Sequence, residues 1–415
     1  MDINKLQKFI LENGLRVIFY PHYNTDIVNI NILYNVGARD ENEEITGFAH
    51  LFEHLMFGGS KNIPDFDKEL QKAGGNNNAF TTNDITNYYI TIPAVNIETA
   101  FWLESDRMLE LAFSQKSLDT QKNVVVEEFK QRYLNQPYGD LWLYLRKLAY
   151  KTHPYKWPTI GKKISHIQNA KMEDVKSFFY KYYAPNNAIL VIAGNAHPEK
   201  TIKLVDKWFG NIEKRNVPQR NLPKERKQIK HRQLNLKRKV PSNLIIKAFH
   251  TCGRLDKDYY ATDMISDILS SGKSSRLYQK LVREKRMFSG IEAYISGSID
   301  PGLLIVEGFL NDGISFQEAE IAIEEELNKL KTELINDYEL KKIKNKIESN
   351  YIYSNVSLHN LAMNLAYNEL LSNAEDYFYL PEKYNNVDSH EIKRVACEIL
   401  NKSNCSTIYY EKITN

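Results

Sequence analysis

The chain has 415 residues, with 55 Lys+Arg against 52 Asp+Glu for a formal net charge of +3, 42% hydrophobic residues and 26% charged residues. That length exceeds one ordinary core and points to two domains, and the composition excludes disordered, collagen-like and coiled-coil classes. No run approaches the about 20 apolar residues of a membrane span, and Cys252, Cys397 and Cys405 are too few and too widely spaced for a disulfide framework or a cysteine-based zinc site. Residues 1–5 show no basic segment followed by an apolar run, so no secretory leader is expected. The default is a cytoplasmic setting, with a periplasmic one reached by another route still compatible.

In chain order, 27–36 alternates as a strand and Gly37 marks the turn after it. An apolar helical run at 46–57 follows, closed by Gly58 and Gly59, and it contains His50-Leu51-Phe52-Glu53-His54. On a helix the two histidines stand at i and i+4, one turn apart on one face, which lets two imidazoles bind one Zn²⁺ at about 2.0–2.1 Å. Glu53 projects from the same side and can take a proton from an attacking water and return it to a leaving amine. This order of residues is the inversion of the His-Glu-x-x-His zinc-protease motif. Histidines and a carboxylate on an otherwise apolar helix are costly without a partner, which favours a metal over mere packing.

Next, 78–81 and 88–91 read as β structure close behind that helix. The segment 119–134 reads as a helix whose Gln121, Val125, Glu128 and Arg132 share a face at spacings of four, three and four. A hydrolytic zinc takes three protein ligands and keeps one position open. Glu128 is the preferred third ligand and Glu127, turned about 100° away, the rival.

Between 213 and 239 eleven Lys/Arg stand against Glu213 and Glu225, a net +9 that leaves the remainder of the chain at −6. With Pro218 and Pro223 and no aromatics for base stacking, the segment reads as a solvated linker rather than a nucleic-acid surface. Beyond it the order of elements repeats: a strand at 244–250, Gly253, a helix at 258–269 ending near Gly272, then long amphipathic helices at 317–334 and 338–354. The expected architecture is a duplicated α+β domain, with 1–212 and 234–415 as the two copies and 213–233 as the basic linker.

The histidine motif followed by Val124-Val125-Val126-Glu127-Glu128 resembles the pitrilysin family, which includes insulin-degrading enzyme and the mitochondrial processing peptidase. Glu128 lies 74 residues after His54, at the family's distance for its third ligand. Gly74-Gly75-Asn76-Asn77-Asn78-Ala79-Phe80-Thr81, Thr86-Asn87-Tyr88-Tyr89, Tyr183-Ala184-Pro185-Asn186-Asn187 and Gly272-Lys273-Ser274-Ser275-Arg276-Leu277 extend the likeness over nearly the whole chain. The resemblance implies one Zn²⁺ per chain held by His50, His54 and Glu128, with Glu53 as catalytic base. It further implies hydrolysis of unfolded peptides, and two antiparallel-rich sheets packed with helices as one half of a clamshell. It places Asn78, Ala79 and Phe80 on an edge strand that accepts substrate as an added strand.

Two departures stand out. The family's second domain has an Arg and, seven residues later, a Tyr that stabilise the transition state; here Arg283 fits but Gly290 occupies the second place, and the nearest tyrosine is Tyr294. Nor does 264–270, the counterpart of the zinc helix, contain a histidine. The resemblance therefore implies a heterodimer in which a homologous, zinc-free subunit supplies the Arg/Tyr pair; a homodimer using Arg283 with Tyr294 is the alternative. A third reading is a non-catalytic peptide-binding or structural subunit. The other departure is Gln121, where the family commonly has an outer-shell Glu supporting the site.

Overall fold

The computed structural model describes residues 2–413. Among the described residues eleven strands form two sheets. In the first, β1 (Gln7–Ile10), β2 (Arg16–Pro21), β3 (Ile27–Tyr34), β4 (Asn76–Thr81), β5 (Thr86–Pro93) and β6 (Ala188–Gly194) lie in the order β1-β2-β6-β3-β5-β4, with β2 and β6 parallel and the other pairs antiparallel. In the second, β7 (Arg232–Arg238), β8 (Leu244–His250), β9 (Phe288–Ile295), β10 (Leu303–Leu310) and β11 (Cys405–Lys412) lie in the order β7-β11-β8-β10-β9, again with one parallel pair, β7 with β11. Without β1, the two orders are the same: first strand, last, second, fourth, third. The α+β class and the duplication are thus visible in topology.

The sheets are buried on both faces for readable reasons. β6, Ala-Ile-Leu-Val-Ile-Ala-Gly, is apolar throughout and buried throughout, the pattern of a central strand. β3 instead alternates. Val28, Ile30 and Ile32 enter one core, while Asn29 and Asn31 turn to the other face, where they hydrogen-bond Thr91 (2.9 Å) and Asn87 (2.9 Å). The helix Leu358–Leu371 packs over β3 and β6, with His359 against the ring of Tyr89 at 3.7 Å. In the second sheet one face packs on the helices Tyr259–Ser270, Phe316–Thr332 and Ser389–Ile399 through Ile265, Ile268, Ile323, Leu327, Ile392 and Val395. The helix Leu141–Ala149 lays Leu141, Leu145 and Ala149 on the other face, against Leu236, Ile246, Ile305 and Ile408.

These two covering helices alter the expected division. The first compact unit runs through Gln131 and adds Trp157–Leu222 and Tyr351–Tyr379; the second holds Arg132–Lys156, Pro223–Asn350 and the chain from Leu380. Each half of the sequence lends one helix to the other half's sheet, an exchange that a cut at 213–233 does not anticipate. The physical cause is the apolar face that each of these sheets must bury.

The basic segment is irregular and largely exposed, with Lys214, Lys224, Arg226, Lys227 and Lys230 in solvent, but it is pinned at a few points. Arg215 donates to the carbonyls of Tyr183 (2.7 Å) and Leu109 (3.0 Å) and lies over the Phe179 ring. Arg220 grips Asp40 with two N–H groups (2.7 and 3.1 Å). In the second unit the Glu225 carboxylate accepts from the backbone of Lys151, Thr152 and His153, and these bonds hold its pKa below the usual carboxylate value against its burial. Among the described residues no helix is long and apolar enough to cross a membrane.

Candidate metal centre

The motif helix is only eight residues long, Phe48–Leu55, so its position depends on its ends and its buried face. Gly47 enters it with φ 92°, a left-handed conformation, and a Cβ there would lie 2.6 Å from the Ile160 carbonyl oxygen. The Glu41 carboxylate accepts from the N–H groups of Gly47 (2.9 Å) and Ala49 (2.8 Å), filling the role of a side-chain cap that Gly47 cannot supply. Burial pushes the Glu41 carboxyl up to about 8, and the two N–H donors act in the opposite sense. Phe48, Leu51, Phe52 and Leu55 are buried, with Phe52 stacked on Tyr183 at 4.7 Å. That face fixes the helix rotation and leaves His50, Glu53 and His54 on the other side.

The third donor comes from the helix Gln115–Phe129, capped by Ser114 and anchored through buried Val125, Val126 and Phe129. The two helices are in contact. Glu128 Oε2 lies 3.6 Å from His50 Nε2 and 3.4 Å from His54 Nε2, and one ligand atom from each of the three residues falls within 4.8 Å of the others. Ligands arranged tetrahedrally at about 2.0–2.1 Å from a zinc ion are separated by about 3.3–3.4 Å. The two His–Glu separations and the His₂Glu donor set therefore fit zinc. Glu127 is turned outward and pairs with Lys130 at 2.6 Å, as expected of an exposed acid. Gln121 is half-buried on the same helix, two turns before Glu128.

Glu53 adjoins this cluster, and its Oε2 accepts a hydrogen bond of 2.6 Å from the Thr81 hydroxyl. Thr81 is the last residue of β4, which lies at the outer edge of its sheet and is bonded only to β5. Asn78, Ala79 and Phe80 occupy this same strand, Asn78 exposed and the other two half-buried. Arg283 sits in the π-helical turn Tyr278–Glu284, exposed, with its guanidinium donating to Gln279 at 3.1 Å. Gly290 lies on the edge strand β9, and a Cβ there would meet nothing within 4 Å. The Tyr294 hydroxyl is engaged by Glu307 at 3.2 Å within its own sheet.

Three supporting residues escaped the sequence reading. Glu41 lies in the loop nine residues before His50 and Thr81 on a strand well beyond the motif, and neither has a periodic signal. The third is Arg107, fully buried with Glu104 beneath the end of the motif helix. Its guanidinium sits 4.4 Å from the Tyr88 ring, 4.6 Å from Phe66 and 5.3 Å from Phe57. Two charged residues one turn apart in the apolar surroundings of 100–108 were the available signal for it.

A helical pair presenting His₂Glu, a neighbouring carboxylate and two sheets of one topology define the class of inverted-motif zinc peptidases. The insulinase (peptidase family M16) model matches residues 16–163 and the peptidase M16 inactive-domain model matches residues 169–347, so the chain belongs to the M16 family. It is 29% identical over 413 residues to the zinc protease PqqE of Helicobacter pylori, covering 98% of this chain and 92% of that one. The uncharacterized zinc protease YmxG of Bacillus subtilis is 25% identical over 368 residues, 88% of each chain. A crystal structure of a protease from Helicobacter pylori superposes with a TM-score of 0.91 at 29% identity, covering 98% of this chain and 99% of that one.

Proposed function

We propose that this chain is a zinc-dependent endopeptidase for unfolded peptides and the catalytic subunit of a heterodimer. The observation that carries this reading is the convergence of His50, His54 and Glu128 beside Glu53 at the end of an open sheet edge. His50 Nε2, His54 Nε2 and Glu128 Oε2 would hold one Zn²⁺, which when bound supplies Lewis acidity and lowers the pKa of water. The Glu53 carboxylate accepts the proton of the attacking water and delivers it to the departing nitrogen. The backbone of Asn78–Phe80 pairs with an extended peptide, which requires little of its sequence. A three-donor site with a carboxylate at its side favours catalysis over a structural zinc, which takes four protein ligands.

The heterodimer rests on the second sheet. Arg283 has no tyrosine seven residues on, and the Tyr294 hydroxyl already bonds Glu307, which disfavours a homodimer built on that pair. Purified alone, the chain is expected to bind zinc but to cleave a quenched fluorogenic peptide weakly. Gly290→Tyr, placed where the backbone leaves open space, is expected to raise that rate by up to about 10²-fold, the worth of one oxyanion donor. Full activity of the unmodified chain alone would remove the heterodimer from this reading.

Gln121→Glu offers a milder check. A carboxylate in place of the amide strengthens electrostatic support of the metal, so zinc affinity measured against a chelating dye is expected to rise about 10-fold. An unchanged affinity would show that the charge at this position is irrelevant.

A further inference from the structure

We propose that Thr81 is a positioning residue for Glu53, tying alignment of the base to the strand that docks the peptide. The inference rests on the peptidase reading above and adds to it a residue to which no role has been given. The 2.6 Å separation from Thr81 Oγ1 to Glu53 Oε2 falls in the range of a hydroxyl donating to a carboxylate, the stronger kind of hydrogen bond. The hydroxyl can serve as a fixed reference because its own backbone is fixed. Thr81 closes β4 in register with Thr86 of β5, and the turn beyond is locked by Thr82, whose N–H donates to the Ile85 carbonyl (2.8 Å) and whose Oγ1 accepts from the N–H groups of Asp84 and Ile85 (3.0 Å each). A β-branched side chain on a strand has little χ1 freedom, so the donor is aimed before any ligand arrives.

Glu53, in contrast, is a long side chain on a short helix, and rotation about its terminal bond is broad unless a partner fixes it. The Thr81 bond supplies that partner from a different element. Because Asn78–Phe80 precede Thr81 on the same strand, the edge that accepts the peptide backbone and the donor that orients the base form one rigid piece. A small shift of β4 would move both together, which keeps the scissile bond and the base in register.

The test uses the active complex purified with its homologous subunit and compares wild type, Thr81→Val and Thr81→Ser. Valine is isosteric and suits a strand, so the fold is kept. The expected result is a kcat about 10- to 100-fold lower in Thr81→Val, the cost of a misplaced catalytic group, with KM and dye-measured zinc affinity within about 2-fold of wild type and most of the rate restored in Thr81→Ser. A metal-free crystal structure of Thr81→Val should show the Glu53 carboxylate rotated while β4 and Phe48–Leu55 stay in place. Wild-type kcat in Thr81→Val, no rescue by serine, or loss of zinc together with activity would each overturn the role. An inactive wild-type complex would instead overturn the peptidase reading, and the role with it.

Discussion

Glu53→Gln is expected to lower peptide cleavage by about 10²- to 10⁴-fold, the usual contribution of a general base, while zinc content stays at one per chain. The amide keeps the volume of the side chain and can still accept from the Thr81 hydroxyl, so the helix and its buried face are undisturbed. It cannot take up a proton at neutral pH and carries no charge, so the base is removed while the side chain's shape is kept. Glu53 is not among the three converging donors, so metal retention and loss of turnover separate cleanly. Atomic absorption on the dialysed variant together with a fluorogenic-peptide assay makes the measurement. Turnover retained within a few fold would remove Glu53 as the base. Loss of zinc would show instead that it is a ligand.

The second large effect concerns stability. Arg107→Met is expected to destabilise the first unit by about 3–5 kcal/mol, because it strands the Glu104 carboxylate in a site with no exposure. In the wild type Arg107 meets that carboxylate with two hydrogen bonds, at 2.8 and 2.5 Å, and lies among three aromatic rings. Burial raises the Glu104 pKa and the guanidinium opposes the shift. A carboxyl raised in the folded state binds its proton more readily than in the unfolded chain, so stability falls as pH rises between the two values. Without Arg107 that window widens upward, and the deficit should shrink as pH is lowered. Glu104→Leu combined with Arg107→Met should recover much of the loss, since removing both charges removes the desolvation cost. Urea unfolding at two pH values tests both statements; a deficit independent of pH would place the effect in packing alone.

How much of this was legible beforehand depends on the range of each signal. The histidine motif is local and its meaning follows from helical periodicity; Glu128, 74 residues on, lies 3.6 Å and 3.4 Å from the two imidazoles, a proximity that only tertiary geometry supplies. Glu128 was separable from Glu127 because a helix turns them about 100° apart. Thr81 and Glu41 were not legible. A hydroxyl on a strand end and an acid in a loop carry no period, and only tertiary geometry points them at the motif helix. Most of the linker's charge is exposed, but its anchor points could not be read, because composition reports charge and not partners; Arg215 and Arg220 spend theirs on specific carbonyls and on Asp40. The unit boundaries slipped at 132–156 and 351–379 because amphipathic helices declare an apolar face without saying which sheet will receive it.

The lent helices also set a timetable for synthesis. Six strands of the first sheet have emerged from the ribosome once β6 is complete at Gly194, yet the helix that covers their second face, Leu358–Leu371, comes more than 160 residues later. At typical translation rates of about 5–20 residues per second, that is a wait on the order of ten seconds or more. The waiting face is mixed: Asn29, Asn31, Asn87 and Thr91 are paired with one another across β3 and β5, while Ile18, Leu33, Ile189 and Val191 share the face with them. The polar pairs interrupt this apolar surface and make it less adhesive than an all-apolar one, but its Ile, Leu and Val side chains stay open to other chains until the helix arrives. The second unit faces no such delay, because its covering helix, Leu141–Ala149, is made before the sheet it protects.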